Sequence, residues 1–253
     1  MRILLLMLIL LSTLASAQQP TLKVYAGITP GLQYYENEAI TGSAFAVVDR
    51  LMAASGLPYE IHLTNWAQAH RQFNLDPNSL VFSISRMDSR ETKYQWLVNL
   101  AKLNLGIAQA KNRPAISVNN FNELRQHKLA VVRSTSTHET LLNHGFIENR
   151  DFTTVATSQK LVKMAETGMV DFVYYESTLT PIILSMLGYE SDFLRPLPIE
   201  VPDNTSIYLA AHPEFDSKFA DQIKDTHEKL TRVKSYQQLL DNVLPNSEPR
   251  FSQ

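Results

Sequence analysis

Three polar segments of this sequence each follow an apolar run, where a strand is expected to end. Arg90 lies in the polar turn after the run 80–84, residues 134–137 are all serine or threonine, and Glu176 follows a third run. An arginine at a strand end presents a planar fork of donors that matches a carboxylate, whereas a glutamate there can accept hydrogen bonds from a cation. Together the segments predict a pocket for a ligand that carries both charges, as an amino acid does.

Arg90 is the predicted partner of the ligand carboxylate. A bidentate contact from a guanidinium in a cleft with little water is about twice as strong as a neutral hydrogen bond. Ser85 would add a hydroxyl to the same carboxylate. The alternative interpretation of Arg90 is a surface ion pair with Asp88 or Glu91, which lie in the same turn.

The serine and threonine cluster is predicted to bind the same anion from a different element. The backbone amides of Ser136 and Thr137 would lie at the start of a helix, where unpaired N–H groups attract negative charge. Helix capping alone is the alternative, because serine and threonine cap helices routinely and use the same donors. Arg133 and Arg86 flank the proposed anion contacts and could reach an acidic group of the ligand, or both could be ordinary solvated charges.

Glu176 is the predicted partner of a ligand ammonium group, and a solvated glutamate at a strand end is the alternative. Trp66, with Tyr34 or Tyr35, would supply flat faces for the aliphatic or cationic part of the ligand, although core packing is the alternative for a single tryptophan. The predicted ligand-binding residues are thus Arg90, Ser85, Glu176, Ser136, Thr137, Trp66, Tyr34, Tyr35 and Arg133.

Composition and missing motifs narrow the class of protein. Of the 253 residues 44% are hydrophobic, which is enough for one large or two modest folded cores. The formal net charge of −2, with both signs interspersed, disfavours a nucleic-acid partner. The sequence contains no HExxH, GxSxG or GxxxxGK[ST] motif and no cysteine. We therefore expect a protein without a metal, a cofactor or catalytic residues.

The first 17 residues are typical of a secretory signal peptide. Arg2 precedes the apolar run 3–11, and the small residues 15–17 form a cleavage site. The apolar run is shorter than the roughly 20 residues of a spanning helix, which disfavours a membrane anchor. Because no cysteine is available to carry a lipid, the sequence predicts cleavage after Ala17 and export of a protein without a lipid anchor to the periplasm.

Alternating strands and helices predict an α/β fold. The expected order of strands and helices is typical of a mostly parallel sheet, and the pattern restarts near residue 103 as a second α/β unit. Asn119 is expected to cap a short helix that runs through Arg125. The expected strands are 22–26, 59–63, 80–84, 129–132, 172–175 and 207–211, and the expected helices are 43–55, 66–73, 137–143, 159–167, 217–232 and 236–243.

This order of features resembles that of bacterial extracellular solute-binding protein family 3, the periplasmic polar amino-acid-binding proteins of ABC importers. The resemblance covers nearly the whole chain after the signal segment. Residues 85–90, Ser-Arg-Met-Asp-Ser-Arg, match the Thr-x-Thr-Pro-Glu-Arg turn of the family. Residues 134–137 approximate its Gly-Thr-Thr/Ser motif, with Thr135 in place of the glycine, and Glu176 stands where the family has aspartate.

The resemblance implies a type II periplasmic binding protein fold, whose two lobes are joined by two hinge crossovers and close on a ligand. Lobe 1 would comprise 22–102 and 208–253, lobe 2 would comprise 103–203, and the hinge would lie near 102–106 and 203–208. It implies a monomer that captures a polar amino acid or related small carboxylate for an ABC permease. The alternatives are a sensor that signals to a membrane receptor, and a dehydratase-like enzyme whose general acid or base is Glu176.

Overall fold

The computed structural model describes residues 19–202 and 205–244. The predicted signal peptide 1–17, two residues of the predicted hinge (203–204) and the last residues of the predicted first lobe (245–253) lie outside them. Two five-stranded sheets organise the described residues, and the part of the chain built on each sheet is called a lobe below. No helix of the described part is long and apolar enough to cross a membrane.

The sheet of the first lobe contains the first and the last strand of the described chain. Numbered in chain order, its strands are β1 (Leu22–Gly27), β4 (Tyr59–Thr64), β5 (Ser79–Ser85), β6 (Gln95–Lys102) and β12 (Ser206–Ala211). The order across the sheet is β4-β1-β5-β12-β6. Because β1 is parallel to β4 and β5, while β12 is antiparallel to β5 and β6, the late strand β12 alone runs against the other four.

Helices and a small β-ribbon pack around this sheet and complete the first lobe. The two helices that connect its early strands are α1 (Ser43–Ser55) and α2 (Trp66–Leu75), and the last two helices are α6 (Ser217–Thr231) and α7 (Lys234–Asp241), which pack against α1. A two-stranded ribbon of β2 (Tyr34–Glu36) and β3 (Ala39–Thr41) precedes α1, and a 3-10 helix at Asp88–Lys93 follows β5.

The second lobe repeats this plan. Its strands are β7 (Leu105–Ala110), β8 (Leu129–Val132), β9 (Phe152–Val155), β10 (Phe172–Glu176) and β11 (Leu194–Pro196), in the order β11-β7-β10-β8-β9, and its helices are α3 (Ser136–Asn143), α4 (Ser158–Glu166) and α5 (Thr180–Met186). Here β7, the strand that enters the lobe, is the one antiparallel strand. The predicted fold class, two α/β lobes with mostly parallel sheets, is confirmed.

Several elements differ from the prediction. The short helix is a 3-10 helix at Phe121–Gln126, and Asn120 rather than Asn119 caps it, because the Asn120 side chain accepts hydrogen bonds from the N–H groups of Asn122 and Glu123. The strands β2, β3, β6, β7, β9 and β11 and the helix α5 were not predicted as such. Most of these are only three to five residues long, which is too short for a clear hydrophobic period.

An irregularity in β5 shapes the cleft side of the first sheet. Ser83 has a positive φ of 57°, and the register of β5 against β12 shifts beside it, as in a β-bulge. The Ser83 hydroxyl donates to Oε1 of Gln33 at 2.8 Å, and Nε2 of Gln33 donates to the Gly27 carbonyl at 2.8 Å. Gln33 is fully buried. A buried amide therefore joins the bulge to the end of β1.

The change Gln33→Leu tests this network. Leucine fills a similar volume but leaves the buried Ser83 hydroxyl without its acceptor and the Gly27 carbonyl with the Thr29 hydroxyl alone as a side-chain donor. The free energy of unfolding should therefore fall by about 1–3 kcal/mol. Urea denaturation measures the change. The control Gln126→Leu, at an exposed position, should change it by less than about 0.5 kcal/mol. Equal unfolding free energies for the two variants would show that the network contributes nothing.

Candidate functional site

A cavity of about 140 Å³ lies between the two lobes. Six of the nine predicted ligand-binding residues line it. Ser85, Arg90 and Trp66 line it from the first lobe, and Ser136, Thr137 and Glu176 line it from the second. The structure thus brings the predicted anion donors and the predicted cation acceptor to one space.

Arg90 is buried, with 7% of its side chain exposed. Its Nη1 donates to the Ser85 carbonyl at 3.3 Å, while Nε and Nη2 each lie 2.6 Å from Oε2 of Glu139. The alternative of a surface ion pair with Asp88 or Glu91 is therefore wrong.

Glu139 lies in the first turn of α3 and binds the first lobe through both carboxylate oxygens. Oε2 accepts from Arg90, and Oε1 accepts from the Ser89 hydroxyl. Burial alone would raise the pKa of this carboxyl, but the charge of Arg90 and the hydrogen bonds from Ser89 and Arg90 outweigh burial, so its pKa is lowered. Glu139 is thus ionised at neutral pH, and an ion pair with little exposure joins the lobes.

The guanidinium of Arg90 keeps some capacity for a ligand. A guanidinium has five N–H donors, and Glu139 and Ser85 accept from Nε, Nη2 and Nη1. One hydrogen on each Nη atom therefore remains. A ligand carboxylate can bind this Nη1–Nη2 edge while Glu139 keeps the Nε side, since a carboxylate and this edge match in a bidentate geometry.

The start of α3 offers donors from the second lobe. Thr135 occupies the N-cap position, but its hydroxyl donates to the Val132 carbonyl at 2.6 Å and does not cap the helix. No described residue accepts a hydrogen bond from the N–H groups of Ser136 or Thr137. These two unpaired donors, with the partial positive charge of the helix end, suit an anion.

Glu176 ends β10 beside the crossover between the lobes. Its Oε1 accepts from the N–H of Asn104 at 3.1 Å and its Oε2 from the N–H of Leu179 at 2.6 Å. Burial raises the pKa of Glu176, and the hydrogen bonds from backbone N–H groups offset this only in part. A freely solvated glutamate is therefore excluded, and an ammonium group in the cavity would supply the missing positive charge.

The position of the Trp66 side chain depends on Gly27. A Cβ atom built at Gly27 would lie 2.3 Å from the Trp66 indole, so only a glycine allows the ring to rest against the end of β1. Asn65 caps α2 by accepting a hydrogen bond from the N–H of Gln68 at 3.0 Å, which sets Trp66 as the first helical residue. The indole therefore stands between the sheet and the cavity.

Three predicted ligand-binding residues lie outside the cavity, contrary to the prediction. Tyr34 and Tyr35 belong to the β2–β3 ribbon, and Tyr35 is 49% exposed. Arg133 donates from Nε and Nη2 to the Thr154 hydroxyl at 3.0 and 2.9 Å on the surface of the second lobe. The flanking Arg86 also lies elsewhere, because it pairs with Glu91.

A second, open cavity lies on the far side of the Arg90–Glu139 pair. Arg90 and Ser134 line both cavities, so they form the partition between them. In the open cavity, burial and then the charge of Arg90 lower the pKa of His70 to about 4. His70 is thus uncharged at neutral pH and adds no positive charge beside Arg90. No cluster of His, Asp or Glu that could hold a metal ion occurs in the described part of the chain.

Solved structures of similar shape cover nearly the whole chain. A histidine kinase sensor domain with similarity to periplasmic binding proteins has a TM-score of 0.77 and 16% identity, over 90% of this chain and 98% of its own. The arginine-, lysine- and histidine-binding protein ArtJ of Geobacillus stearothermophilus has a TM-score of 0.74 and 17% identity, over 91% and 97%. A Streptococcus pneumoniae amino acid ABC transporter substrate-binding protein, bound to L-arginine, has a TM-score of 0.68 and 14% identity, over 88% and 94%.

No protein-family profile matches the sequence, and no curated protein matches it significantly. At such low identity the structural likeness establishes the architecture. The chain has the two-lobed periplasmic binding protein fold, as its sequence predicts.

The change Gly27→Ala should displace the Trp66 indole. The added methyl group would overlap the ring, so we expect altered tryptophan near-UV circular dichroism and a loss of unfolding free energy of about 1–3 kcal/mol. The matched control is Gly106→Ala in β7, where the nearest atom would be 3.9 Å away. Unchanged spectra and stability in Gly27→Ala would contradict the close approach.

The change Glu139→Gln should open the cleft. Losing the charge of one partner weakens the closed form by about 1–2 kcal/mol, or roughly tenfold in the ratio of closed to open molecules. Because the chain has no cysteine, Leu75→Cys and Met169→Cys, both exposed, allow spin labels on the two lobes and measurement of the distance between them. Glu91→Gln removes an ion pair within the first lobe and should leave the distances unchanged. Identical distance distributions for Glu139→Gln and the parent would refute the interlobe role.

Proposed function

We propose that this chain is a binding protein that encloses an amino acid or a related small carboxylate between its lobes. The observation that carries the proposal is the interlobe cavity, at which Arg90 and the start of α3 offer donors and Glu176 offers an acceptor. A mostly apolar cavity with a few convergent polar groups is typical of a ligand site. The ligand carboxylate would bind Arg90, the Ser85 hydroxyl and the amides of Ser136 and Thr137, and its ammonium group would bind Glu176.

Ligand binding would be coupled to lobe closure. Contacts from both lobes to one ligand exist only when the cleft is closed, so the ligand shifts the open–closed equilibrium towards the closed form. The proposed lobes are 22–102 with 208–253 and 103–203, with the hinge near 102–106 and 203–208. Few residues are needed there, because a hinge concentrates its dihedral changes in short segments.

We propose that the segment 1–17 directs export of the chain to the periplasm. There the protein would act as a monomer and deliver its ligand to an ABC permease in the inner membrane. The likeness to binding proteins of amino acid transporters supports this role. The likeness to a sensor domain favours a second candidate, a sensor that signals through a membrane receptor. Loss of ligand uptake in a deletion strain would support transport, whereas unchanged uptake with a lost transcriptional response would support sensing.

No catalytic step is part of this proposal. Ligand that is recovered unchanged after prolonged incubation and denaturation of the protein would separate a binding role from the dehydratase-like alternative. Conversion of a cyclic acid by the purified chain would contradict it.

The change Arg90→Ala should weaken ligand binding at least tenfold. Loss of a charged bidentate contact costs roughly 1.5–3 kcal/mol. A thermal-shift screen identifies a ligand, and calorimetry then compares the affinities. The control Arg86→Ala removes an arginine that lies outside the cavity and should bind as the parent does. Equal affinity in Arg90→Ala would remove Arg90 from the site.

A further inference from the structure

Only two of the described residues that line the interlobe cavity carry a charge, Arg90 and Glu176. The other lining residues are aliphatic, aromatic or hydroxyl-bearing, and aliphatic side chains such as Leu32, Leu161 and Ile183 come from both lobes. If the ligand is an amino acid, its own carboxylate and ammonium groups use both charged residues. No charged partner then remains for a charged ligand side chain.

A second carboxylate on the ligand would find no free cation. Glu139 already supplies one negative charge to Arg90 from the opposite lobe. Lys93 lines the second, open cavity beyond that pair and does not line the interlobe cavity. An acidic side chain of the ligand beside Arg90 would therefore place a second negative charge near Glu139. Elsewhere in the cavity it would be a buried charge without a partner, which is strongly unfavourable.

A basic side chain is disfavoured for the complementary reason. Besides Glu176, the described lining of the cavity contains no carboxylate. The ligand's own ammonium group would use the acceptor capacity of Glu176 that remains beside the hydrogen bonds from the N–H groups of Asn104 and Leu179. A guanidinium or ammonium on the ligand side chain would thus lose its hydration without gaining an ion pair.

We propose that the ligand is an amino acid with an uncharged, mainly aliphatic side chain. This inference rests on the proposed function and adds the class of side chain. The cavity volume of about 140 Å³ is similar to that of an apolar cavity that holds one benzene molecule, about 150 Å³. It therefore suits a ligand of the size of valine, leucine or methionine, and each methylene buried against the lining would tighten binding roughly fourfold.

Calorimetry of the purified chain with single amino acids at neutral pH tests the inference. Valine, leucine, isoleucine or methionine should bind at least tenfold more tightly than arginine, lysine, aspartate and glutamate. Arginine, lysine, aspartate or glutamate binding as tightly as the aliphatic set would overturn the inference and leave the proposed function standing. If none of these amino acids binds, both the inference and the proposed amino-acid ligand fail.

An acidic side chain added to the cavity lining tests whether the missing negative charge excludes basic amino acids. Ser158 lines the cavity as the first residue of α4, where an acidic side chain also suits the helix end. Ser158→Asp should tighten arginine or lysine binding at least tenfold, and the matched Ser158→Asn should not. An unchanged affinity for both basic amino acids in Ser158→Asp would contradict the claim that missing charge in the lining excludes them.

Discussion

One ion pair, between Arg90 and Glu139, joins the two lobes of this protein. It joins the 3-10 helix after β5 to the first turn of α3, and both side chains are largely withdrawn from water. Removing one partner of such a pair costs more than a surface ion pair does, because the other charge stays buried and uncompensated. The guanidinium that joins the lobes is also the group that faces the cavity. In the proposed closure, the ion pair and the anion site would therefore form together.

Two of the five non-glycine residues with positive φ in the described part of the chain line this cavity. Ser83 in the first lobe and Ser134 in the second both have positive φ values, 57° and 62°, and both line the cavity. Such conformations cost free energy and persist where the surrounding structure enforces them, which happens preferentially at ligand sites. Gln33 enforces the first through the Ser83 hydroxyl, and the side chain of His138 accepts the N–H of Ser134 at the second.

Sequence periodicity was sufficient for most of the longer helices and strands, although not for the eight-residue β6, and for the side chains at strand ends. Ser85 and Glu176 end the strands β5 and β10, and Arg90 lies in the turn after β5, so their place beyond the apolar runs could be predicted. Glu139 could not, because its partner is 49 residues away in the chain and the pairing exists only through packing of the two lobes. The sequence offered one indication of this role. Glu139 lies four residues after Thr135, at a helix start that was predicted to bind the same anion as Arg90.

The aromatic predictions show the same limit. The position of Trp66 follows from a helix cap and a glycine, which are local features. Tyr34 and Tyr35 lie on a short ribbon whose direction is set by tertiary contacts, and no periodic pattern reveals it. Arg133 follows a strand, as Arg90 does, but an acceptor on the neighbouring strand, the Thr154 hydroxyl, holds its guanidinium on the surface.

A crystal structure with a bound amino acid tests most directly the central claim, that Arg90 binds the ligand carboxylate while it is paired with Glu139. We expect the ligand carboxylate at Nη1 and Nη2 of Arg90, with Glu139 still bound on the Nε side. A ligand carboxylate bound away from Arg90 would contradict it.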